Sequence, residues 1–379
     1  MNYKIEHIYI HLPFCKNKCS YCDFISFEKH EDFLKKYHRA LRNEINEFEK
    51  NICCKIKTIY IGGGTPSLYP LDLLEDLFKT LKENFALSEA NEITIEVNPG
   101  DISEEHLKKY KSLGINRLSI GVQILDEKAL EKLNRYQKNE DVFELLKIAP
   151  KYFDNISVDL IIGLPGATEK TWLETLKYIS SQKVTHVSIY FLTIYEKTPL
   201  FFKVQNKEIE LPSEEEIMGL YEKTIKFLTQ VGFEQYEISN FSKPGFESKH
   251  NQAYWDRKPY KGFGLNASSF HNEKRFTNTN NLCRYINFWL DPSKKEKPET
   301  VDPITKEKAF IETVMLGLRQ KKGLDLHSVL YFLSDIEKSN FLRKLNYLEK
   351  NKFIVKKNGK IRLTNRGVVL ESEIILNLL

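Results

Sequence analysis

Three cysteines near the beginning of the chain have a spacing suited to metal binding. Cys15, Cys19 and Cys22 form a C-x3-C-x2-C loop, which directly follows an apolar, β-branched run from Ile8 to Leu12. Thiolates are the usual protein ligands of iron–sulfur clusters, so three of them leave one iron of a four-iron cube without a protein ligand. S-adenosylmethionine (SAM) can chelate such an iron through its amino and carboxylate groups. The spacing therefore predicts a [4Fe–4S] cluster with one open position.

The alternative for this loop is a structural zinc site. Zinc in such a site takes four tetrahedral ligands, so His11 or His30 would have to complete the set. Neither histidine belongs to a second C-x2-C or H-x3-H pair, and this favours the iron–sulfur cluster.

A glycine-rich segment, Gly62 to Pro66, is a second candidate for ligand binding. Glycine lets the backbone approach a ligand without a Cβ atom in the way, and the carbonyl groups of the segment can accept hydrogen bonds from an ammonium group. The same sequence is equally typical of a turn between a strand and a helix. Its ligand-binding role therefore depends on the cysteine loop lying nearby.

Four polar side chains are further candidates. Glu96 and Gln123 each lie where a predicted strand meets a loop. Both offer hydrogen-bond acceptors to ribose hydroxyls or to the amine of a ligand. The same position is also typical of a solvated residue at the rim of the barrel. Asp159 lies in the apolar sequence Val-Asp-Leu-Ile-Ile, where a carboxylate is costly to bury unless a ligand or a salt bridge stabilises it. Arg135 presents a planar guanidinium group that suits a carboxylate, although a single arginine at a helix end is most often just solvated.

His250 begins the segment His-Asn-Gln-Ala-Tyr-Trp, which has the pattern H-N-x-x-Y-W. An imidazole beside large aromatic side chains is what axial ligation and stacking of a haem require. An isolated histidine is more often a structural residue, and the residues alone favour that interpretation. His271 is a weaker candidate of the same kind.

The elements that position these groups alternate between strand and helix. Parallel neighbours need a crossover long enough for a helix, so six such units predict an α/β fold, a partial (β/α)6 barrel of the TIM type. In β/α barrels the chemistry lies at the carboxyl ends of the strands. The predicted strands are Ile5 to Pro13, Thr58 to Gly64, Glu92 to Pro99, Arg117 to Gln123, Ile156 to Pro165 and Val184 to Ile194, and the predicted helices are Asp32 to Glu49, Pro70 to Phe85, Ser103 to Leu113, Asp126 to Asn134, Asn139 to Ala149 and Thr168 to Ser181.

Beyond a helix predicted for Ser213 to Gln230, the pattern changes. Two further helices and a hairpin around Asn358-Gly359 resemble a winged helix. We therefore predict a barrel at residues 1–232, a region with the histidine segment at 233–300 and a winged-helix-like domain at 301–379. The other expected elements are a strand at Phe233 to Phe241, a linker at Asp291 to Pro303 and helices at Lys306 to Arg319 and Ser339 to Lys350, while Lys261 to Asn281 is a Gly/Asn-rich region with a less regular pattern.

Composition indicates an ordinary globular protein. The 379 residues are 41% hydrophobic, and the net charge of +5 comes from 57 basic and 52 acidic residues that are interleaved, which gives no strong nucleic-acid signal. The absence of a signal peptide and of a long apolar run predicts a cytoplasmic location. Cys53, Cys54 and Cys283 do not suggest a disulfide framework, and we expect them to be reduced and partly buried.

The cysteine loop and several other segments resemble a known family. Tyr9 to Cys15, with Cys19 and Cys22, is similar to the radical SAM signature of the HemN/HemW group, which contains oxygen-independent coproporphyrinogen III dehydrogenases and HemW-type haem chaperones. The resemblance covers nearly the whole chain and continues through Gly62 to Pro66, Gly121 to Gln123, Asp159 to Pro165 and His250 to Trp255.

This resemblance implies roles for the candidate residues. The three loop cysteines would ligate the cluster, Gly63, Gly64 and Thr65 would hold the methionyl part of SAM, and His250 would take part in haem binding. The remaining SAM contacts implied by the resemblance are Tyr9, Tyr21, Glu96, Gln123, Arg135 and Asp159, with Thr193 as a further candidate.

Two departures separate the chain from the dehydrogenase branch. That branch has a further cysteine two residues after the third ligand, where this chain has Phe24, and an extension before the first strand, where Tyr9 here is almost at the start. Both differences favour a HemW-type chaperone without dehydrogenase activity. The alternatives are an oxygen-independent coproporphyrinogen III dehydrogenase, and nucleic-acid binding through Lys356, Lys357, Lys360 and Arg362 on the wing, where charge is usually just solvated.

The resemblance also implies partners. These are haem, a membrane-associated apo-haemoprotein acceptor of the respiratory chain, and an electron donor such as flavodoxin or ferredoxin. It leaves dimerisation open.

Overall fold

The computed structural model describes residues 4–28, 31–48, 53–291, 293 and 296–379. Its strands are β1 (Ile5–Leu12), β2 (Phe14–Cys15), β3 (Phe27–Glu28), β4 (Cys53–Gly63), β5 (Glu92–Val97), β6 (Arg117–Gln123), β7 (Asn155–Ile162), β8 (His186–Phe191), β9 (Glu234–Gln235), β10 (Asn240–Ser242), β11 (Tyr260–Phe263), β12 (Ser268–His271), β13 (Lys274–Asn278), β14 (Glu299–Pro303), β15 (Leu324–Asp325), β16 (Ile354–Lys357) and β17 (Lys360–Leu363).

The helices follow the same chain order. They are α1 (Glu31–Glu47), α2 (Leu71–Asn84), α3 (Glu104–Leu113), α4 (Glu127–Lys132), α5 (Asn139–Ile148), α6 (Glu169–Ser181), α7 (Pro199–Gln205), α8 (Glu214–Gln230), α9 (Lys249–Trp255), α10 (Leu282–Leu290), α11 (Lys306–Arg319), α12 (Leu326–Leu330), α13 (Asp335–Lys350), α14 (Asn365–Val369) and α15 (Glu371–Leu378). Single 3-10 turns lie at Pro66–Leu68 and Ala149–Lys151.

Six parallel strands form the centre of the molecule. They lie in chain order, β1-β4-β5-β6-β7-β8, within one twelve-stranded sheet that also contains β14, β13, β12 and β11 on the β1 side and β10 and β9 on the β8 side. Each neighbouring pair among the six is parallel. The predicted partial (β/α)6 barrel is therefore confirmed, and all six predicted strands match observed ones.

Side chains alternate along these strands, as the period of two requires. On β1, the fully buried Ile8 and Ile10 belong to the hydrophobic core, while Tyr9 and His11 between them contact each other inside the barrel. Each of the six strands carries polar residues at inward positions, as Glu96 on β5 and Asp159 on β7 illustrate, so the barrel interior contains polar groups within an apolar shell.

The region after α8 differs from the sequence expectation. Phe233 to Phe241 was predicted as one strand, but it contains β9 and part of β10, which pair antiparallel. The Gly/Asn-rich segment Lys261 to Asn281, where the sequence pattern is less regular, contains β12, β13 and most of β11. Glycine and asparagine lower the strand propensity of this segment, but β11 gains order by parallel pairing with β1.

The expected linker also contains structure. β14 occupies Glu299–Pro303 and pairs with β13, so this part of the predicted linker was wrong. The predicted boundary between residues 300 and 301 falls within β14. The division into three domains remains a prediction. The side chains of Cys53 and Cys54 lie outside the described residues. Cys283 is free but exposed on α10, contrary to expectation, since α10 buries the opposite face that carries Leu282, Tyr285, Ile286 and Trp289.

The C-terminal part has the predicted winged-helix-like character. β16 and β17 form the expected hairpin, whose turn residues Asn358 and Gly359 both have positive φ angles, 51° and 71°. The hairpin joins β15 in a three-stranded sheet that accompanies α11, α12 and α13. On the wing, Lys356 pairs with Glu349 at 2.8 Å. The two helices α14 and α15, which sequence patterns did not indicate, end the chain.

Candidate functional site

The cysteine loop lies at the carboxyl end of β1 and is held by hydrogen bonds within the loop and to the end of α4. The Ser20 amide donates to the Leu133 carbonyl oxygen at 2.8 Å, and Cys22 N donates to Cys19 O at 3.1 Å. Donors also point at the thiols themselves. Thr65 Oγ1 donates to Cys15 Sγ at 3.5 Å, and an Arg135 guanidinium nitrogen donates to Cys19 Sγ at 3.8 Å.

The three thiols are compatible with a cluster. All three are partly exposed, and burial raises the pKa of Cys15 and raises that of Cys22 to about 11. Metal binding would therefore displace protons from them. Within the described ranges, no three His, Cys, Asp or Glu side chains are close enough to hold one metal ion. A cube differs from a single ion because its ligated irons occupy separate corners, so its thiolates need not converge on one point.

The zinc alternative required a histidine as fourth ligand. His11 Nε2–H donates to the Ile25 carbonyl oxygen at 3.0 Å, which leaves Nδ1 to accept from the Tyr9 hydroxyl at 2.8 Å. His11 would have to give up one of these bonds to ligate zinc. His30 lies outside the described residues.

The glycine segment packs against the cysteine loop. Gly63 has φ = +131°, and a Cβ atom there would lie 2.7 Å from the Leu12 carbonyl oxygen. The amides of Gly64 and Thr65 donate to Leu12 O at 2.7 Å and to Phe14 O at 2.8 Å. The glycines therefore let two loops approach each other, which is a structural reason for this sequence beside any ligand contact.

Glu96 lies directly beneath the glycine segment. Its carboxylate accepts from the Tyr60 hydroxyl at 2.8 Å and from the Gly63 amide at 3.2 Å. Burial raises the pKa of Glu96 from its ordinary value of 4.5 to about 7. The group is thus close to half ionised at neutral pH and can become fully ionised when a cation arrives.

Asp159 lies deeper in the barrel, on β7. Ser119 Oγ donates to it at 2.9 Å and Ser157 Oγ at 3.4 Å, while burial raises its pKa. Among the residues that the structure describes, no cationic side chain forms an ion pair with this carboxylate. Serine hydroxyls thus replace the salt bridge that the sequence left open as an alternative.

Arg135 and Gln123 lie where β6 ends. Arg135 donates to the Asn98 side chain at 3.0 Å, to the Gly121 carbonyl oxygen and, as described, to Cys19. It is therefore no solvated surface arginine but joins β6 to the cysteine loop. Gln123 closes the strand with φ = +66° at a register shift.

The remaining SAM candidates lie around the same end of the barrel. Tyr9 stacks on Tyr60 with 6.3 Å between ring centroids. Burial raises the pKa of Tyr21, whose hydroxyl interacts with Cys19. Thr193 is exposed just beyond β8, and Phe24 follows the third cysteine with 70% of its surface exposed.

His250 lies at the opposite end of the barrel, where it belongs to α9. Its Nδ1 shares a hydrogen bond of 2.7 Å with Thr58 Oγ1, which also bonds to His7 Nδ1 at 2.8 Å. Its Nε2 shares a hydrogen bond of 2.8 Å with the Tyr254 hydroxyl. The side chain is 1% exposed, and burial lowers its pKa to about 3. His250 is thus a neutral imidazole with both nitrogens engaged.

Glu92 fixes this helix to the barrel. Its carboxylate accepts from the amides of Lys249 and His250, both at 2.9 Å. Glu92 begins β5, His7 lies in the first half of β1, and Thr58 lies at the middle of β4. Since His7 and Leu12 are about 17 Å apart along β1 at the rise of a strand, α9 and the cysteine loop occupy separate ends.

His271 contributes to neither end. It lies on β12 and stacks on Phe276 at 4.5 Å, and burial lowers its pKa to about 4. The candidates therefore form two groups, with His250 apart from the SAM candidates.

Sequence reasoning missed Tyr60, Glu92 and Arg117. Tyr60 links the two ends, because its ring lies 5.3 Å from that of His250 and its hydroxyl donates to Glu96. Arg117 is 2% exposed, and its Nε has no hydrogen-bond partner among the described residues. Strict alternation along β4, β5 and β6 would have identified these residues as inward-facing.

No helix in the described ranges is long and apolar enough to cross a bilayer.

Comparisons with known proteins agree with the fold described above. The model of the radical SAM superfamily matches residues 9–179. The chain is 35% identical to the heme chaperone HemW of Bacillus subtilis (strain 168) over 98% of each chain. It is 33% identical to that of Lactococcus lactis over 98% of this chain and 96% of the relative. Coproporphyrinogen III oxidase (HemN) from Escherichia coli, described as a radical SAM enzyme, superposes with a TM-score of 0.84 at 25% identity, covering 100% of this chain and 91% of that one.

Proposed function

The chain belongs to the HemW family of the radical SAM superfamily, and we propose that it binds haem and delivers it to an apo-haemoprotein. The observation that carries the proposal is the separation of the two ends of the barrel. A radical enzyme must hold its substrate beside the sulfonium of SAM, at the carboxyl ends of the strands. The H-N-x-x-Y-W helix lies at the amino ends instead, which suits a protein that holds haem rather than one that reacts with it.

The proposal assigns the cluster to the cysteine loop. Cys15, Cys19 and Cys22 would supply three thiolates, and the Thr65 hydroxyl and Arg135 guanidinium already donate to two of the sulfurs. Such donors stabilise thiolates and tune a cluster. When bound, the cluster supplies an electron to the sulfonium of SAM.

SAM would occupy the carboxyl end above the barrel interior. Glu96 offers a carboxylate to its amino group next to Gly63 and Gly64, and Arg135 offers a guanidinium to its carboxylate. Asp159, whose only described donors are hydroxyls, offers a second anionic acceptor. The other proposed contacts are Tyr9, Tyr21, Thr65 and Gln123, with Thr193 at the rim.

His250 is the proposed axial ligand of haem. Coordination requires a neutral imidazole, and His250 is neutral over the physiological range. One ring nitrogen must be released, and Nε2 is bonded only to the Tyr254 hydroxyl. Nδ1 would keep its hydrogen bond to the Thr58 hydroxyl. This bond would orient the imidazole ring, as hydrogen bonds to the other ring nitrogen of metal-ligating histidines do.

The proposal extends to partners and location. The acceptor is an apo-haemoprotein of the respiratory chain at the membrane, and a flavodoxin or ferredoxin supplies electrons to the cluster. The cytoplasm would keep the loop cysteines reduced. Dimerisation is left open.

A haem titration tests the proposal. Anaerobically reconstituted full-length protein is titrated with ferric haem and followed by the Soret band, with His250→Ala as the variant and His271→Ala as the matched control. We expect a shifted Soret band in the wild type and in the control, and its loss in His250→Ala. No Soret change in any of the three would reject the haem-binding function. An unchanged band in His250→Ala would move the ligand elsewhere.

A second function is favoured by the superposition on HemN over the full chain. On this alternative the protein is an oxygen-independent coproporphyrinogen III dehydrogenase. The reduced, SAM-loaded protein is incubated with coproporphyrinogen III, and vinyl products and 5′-deoxyadenosine are quantified. Formation of both in stoichiometric amounts would establish the enzyme, and absence of both would leave the chaperone function.

A further inference from the structure

A cavity of about 280 Å³ lies next to the His250 helix. Its walls come from α9, from β11 to β13 and from α11, so it lies between the barrel and the C-terminal part. Three aromatic rings line it, with Tyr254 and Tyr260 at 4.6 Å and Tyr260 and Phe270 at 6.5 Å between centroids. Flat apolar surfaces of this kind suit a planar aromatic ligand.

Two arginines line the same cavity. The guanidinium groups of Arg257 and Arg275 lie 5.2 Å and 5.8 Å from the centre of the Phe270 ring. Both pair with one carboxylate, that of Glu312 on α11, at 3.0 Å and 2.8 Å. Arg257 also reaches the largely exposed Glu273 at 3.3 Å. Two guanidinium forks side by side match a ligand that carries two carboxylates.

Tyr254 lies between this cavity and His250. Its hydroxyl shares the hydrogen bond with His250 Nε2, and the two rings lie 4.8 Å apart. Its ring at the same time forms part of the cavity wall. Rotation of this one side chain would break one hydrogen bond and open a path from the cavity to the imidazole.

We propose that this aromatic–arginine cavity receives the carboxylate-bearing edge of a tetrapyrrole, and that Tyr254 turns aside so that His250 reaches the metal at its centre. The inference deepens the proposed haem-binding function and rests on it. The propionate groups displace Glu312 from Arg257 and Arg275. Since the cavity is near the lower limit of roughly 300–1,000 Å³ for small-molecule sites, it takes one edge of the macrocycle rather than enclosing it.

Glu312 then acts as a competitor for the arginines. It lies on α11, so its displacement weakens a contact between the C-terminal part and the α9–β13 side of the cavity. This gives opposite expectations for two substitutions. Removing the arginines weakens binding, and removing the charge of Glu312 strengthens it.

The test uses three probes on the full-length, reconstituted protein: ferric haem, metal-free protoporphyrin IX and the dimethyl ester of haem. The variants are Arg257→Gln/Arg275→Gln and Glu312→Gln, and the matched control is Arg284→Gln, an exposed arginine on α10. Affinities are measured by fluorescence quenching and by absorption.

We expect the double arginine variant to bind haem and protoporphyrin IX at least about tenfold more weakly, because two charge-assisted contacts are lost. Glu312→Gln should bind both about threefold to tenfold more tightly, a gain that misfolding cannot produce. The dimethyl ester should bind weakly to the wild type and be insensitive to the arginine change. His250→Ala should lose the iron-dependent Soret shift but keep protoporphyrin IX binding.

Two results would overturn the inference. One is unchanged affinity in the double arginine variant, with a Soret shift that still depends on His250; the haem-binding function would then stand while the cavity would not be its site. The other is weaker binding in Glu312→Gln. Conversely, arginine-dependent protoporphyrin binding without transfer of haem to any acceptor would support the cavity and reject the chaperone function.

Discussion

At the carboxyl end of the barrel, Glu96 and Asp159 accept hydrogen bonds from the barrel strands and form no ion pair among the described residues, whereas at the amino end the hydrogen bonds of His250 and Glu92 hold α9 against the barrel. Burial favours the neutral form of both kinds of group, since it raises the pKa of Glu96 to about 7 and lowers that of His250 to about 3. The two ends differ in whether their polar groups are accessible to a ligand. The carboxyl end keeps carboxylates that an incoming cation can ionise, while the amino end is closed by its own helix and must open to bind a ligand.

The largest expected effect is the loss of the cluster when one of its ligands at the carboxyl end is substituted. We expect Cys15→Ala, Cys19→Ala or Cys22→Ala to abolish the proposed [4Fe–4S] cluster, because these three thiolates are its proposed protein ligands. Iron and sulfide analysis with absorption spectra of oxygen-free preparations measures this. Cys283→Ala, which removes an exposed thiol on α10, is the control and should retain a full cluster. A complete cluster in any loop variant would contradict the assignment.

The next largest effect concerns the glycine segment. Gly63→Ala should lower the free energy of unfolding by about 3 kcal/mol, because the new Cβ would combine a positive φ with a contact of 2.7 Å to the Leu12 carbonyl oxygen. Gly114→Ala has a positive φ of 98° with nothing within 4 Å of the new atom, so it should cost only about 1 kcal/mol. Denaturant unfolding measures both. Equal losses would mean that the close approach of the two loops is not a constraint.

Titration of Glu96 sharpens the contrast between the two ends. An acid whose pKa is raised on folding binds protons more tightly in the folded chain, so its contribution to stability falls as pH rises from about 4.5 to about 7. Wild type should therefore lose on the order of 2 kcal/mol relative to Glu96→Gln across this range. Unfolding of the cluster-free proteins at pH 4.5 and pH 7.5 measures the difference, in which the contributions of the histidines cancel. A difference that does not vary with pH would mean that Glu96 is an ordinary solvated carboxyl group.

The smallest expected effect is at the amino end. Thr58→Val should destabilise the protein by about 1–2 kcal/mol, because it removes the hydroxyl that bonds to both His7 and His250. It should also weaken haem binding, since Nδ1 would lose the group that orients the ring. Thr58→Ser keeps the hydroxyl and should preserve haem affinity, as haem titration of both variants would show. Wild-type haem affinity in Thr58→Val would mean that the hydrogen bond from Thr58 to His250 plays no part in haem binding.

Much of the carboxyl end could be predicted from the sequence, because its residues occupy local patterns. β6 was predicted with its exact limits, since Arg117 to Gln123 alternates between buried apolar and inward-facing residues. The cysteine loop and the glycine segment each follow a strand and were therefore placed at the correct end.

The amino end depends on contacts between residues far apart in the chain. Glu92 binds the amide of His250 across 158 positions, and β11 is ordered by pairing with β1. No local pattern contains such contacts. The sequence could therefore identify the H-N-x-x-Y-W segment but not the position of His250 beneath the barrel, nor the cavity beside it.

Simultaneous binding of haem and SAM tests the separation of the two ends most directly. Cluster-loaded protein is titrated with haem in the absence and in the presence of saturating SAM, and bound SAM is counted at the end point. Separate ends predict one haem and one SAM per chain and a haem affinity that changes by less than about twofold, since the proposed sites share no contact residue, although Tyr60 lies between His250 and Glu96. Displacement of SAM by haem, or of haem by SAM, would contradict the account.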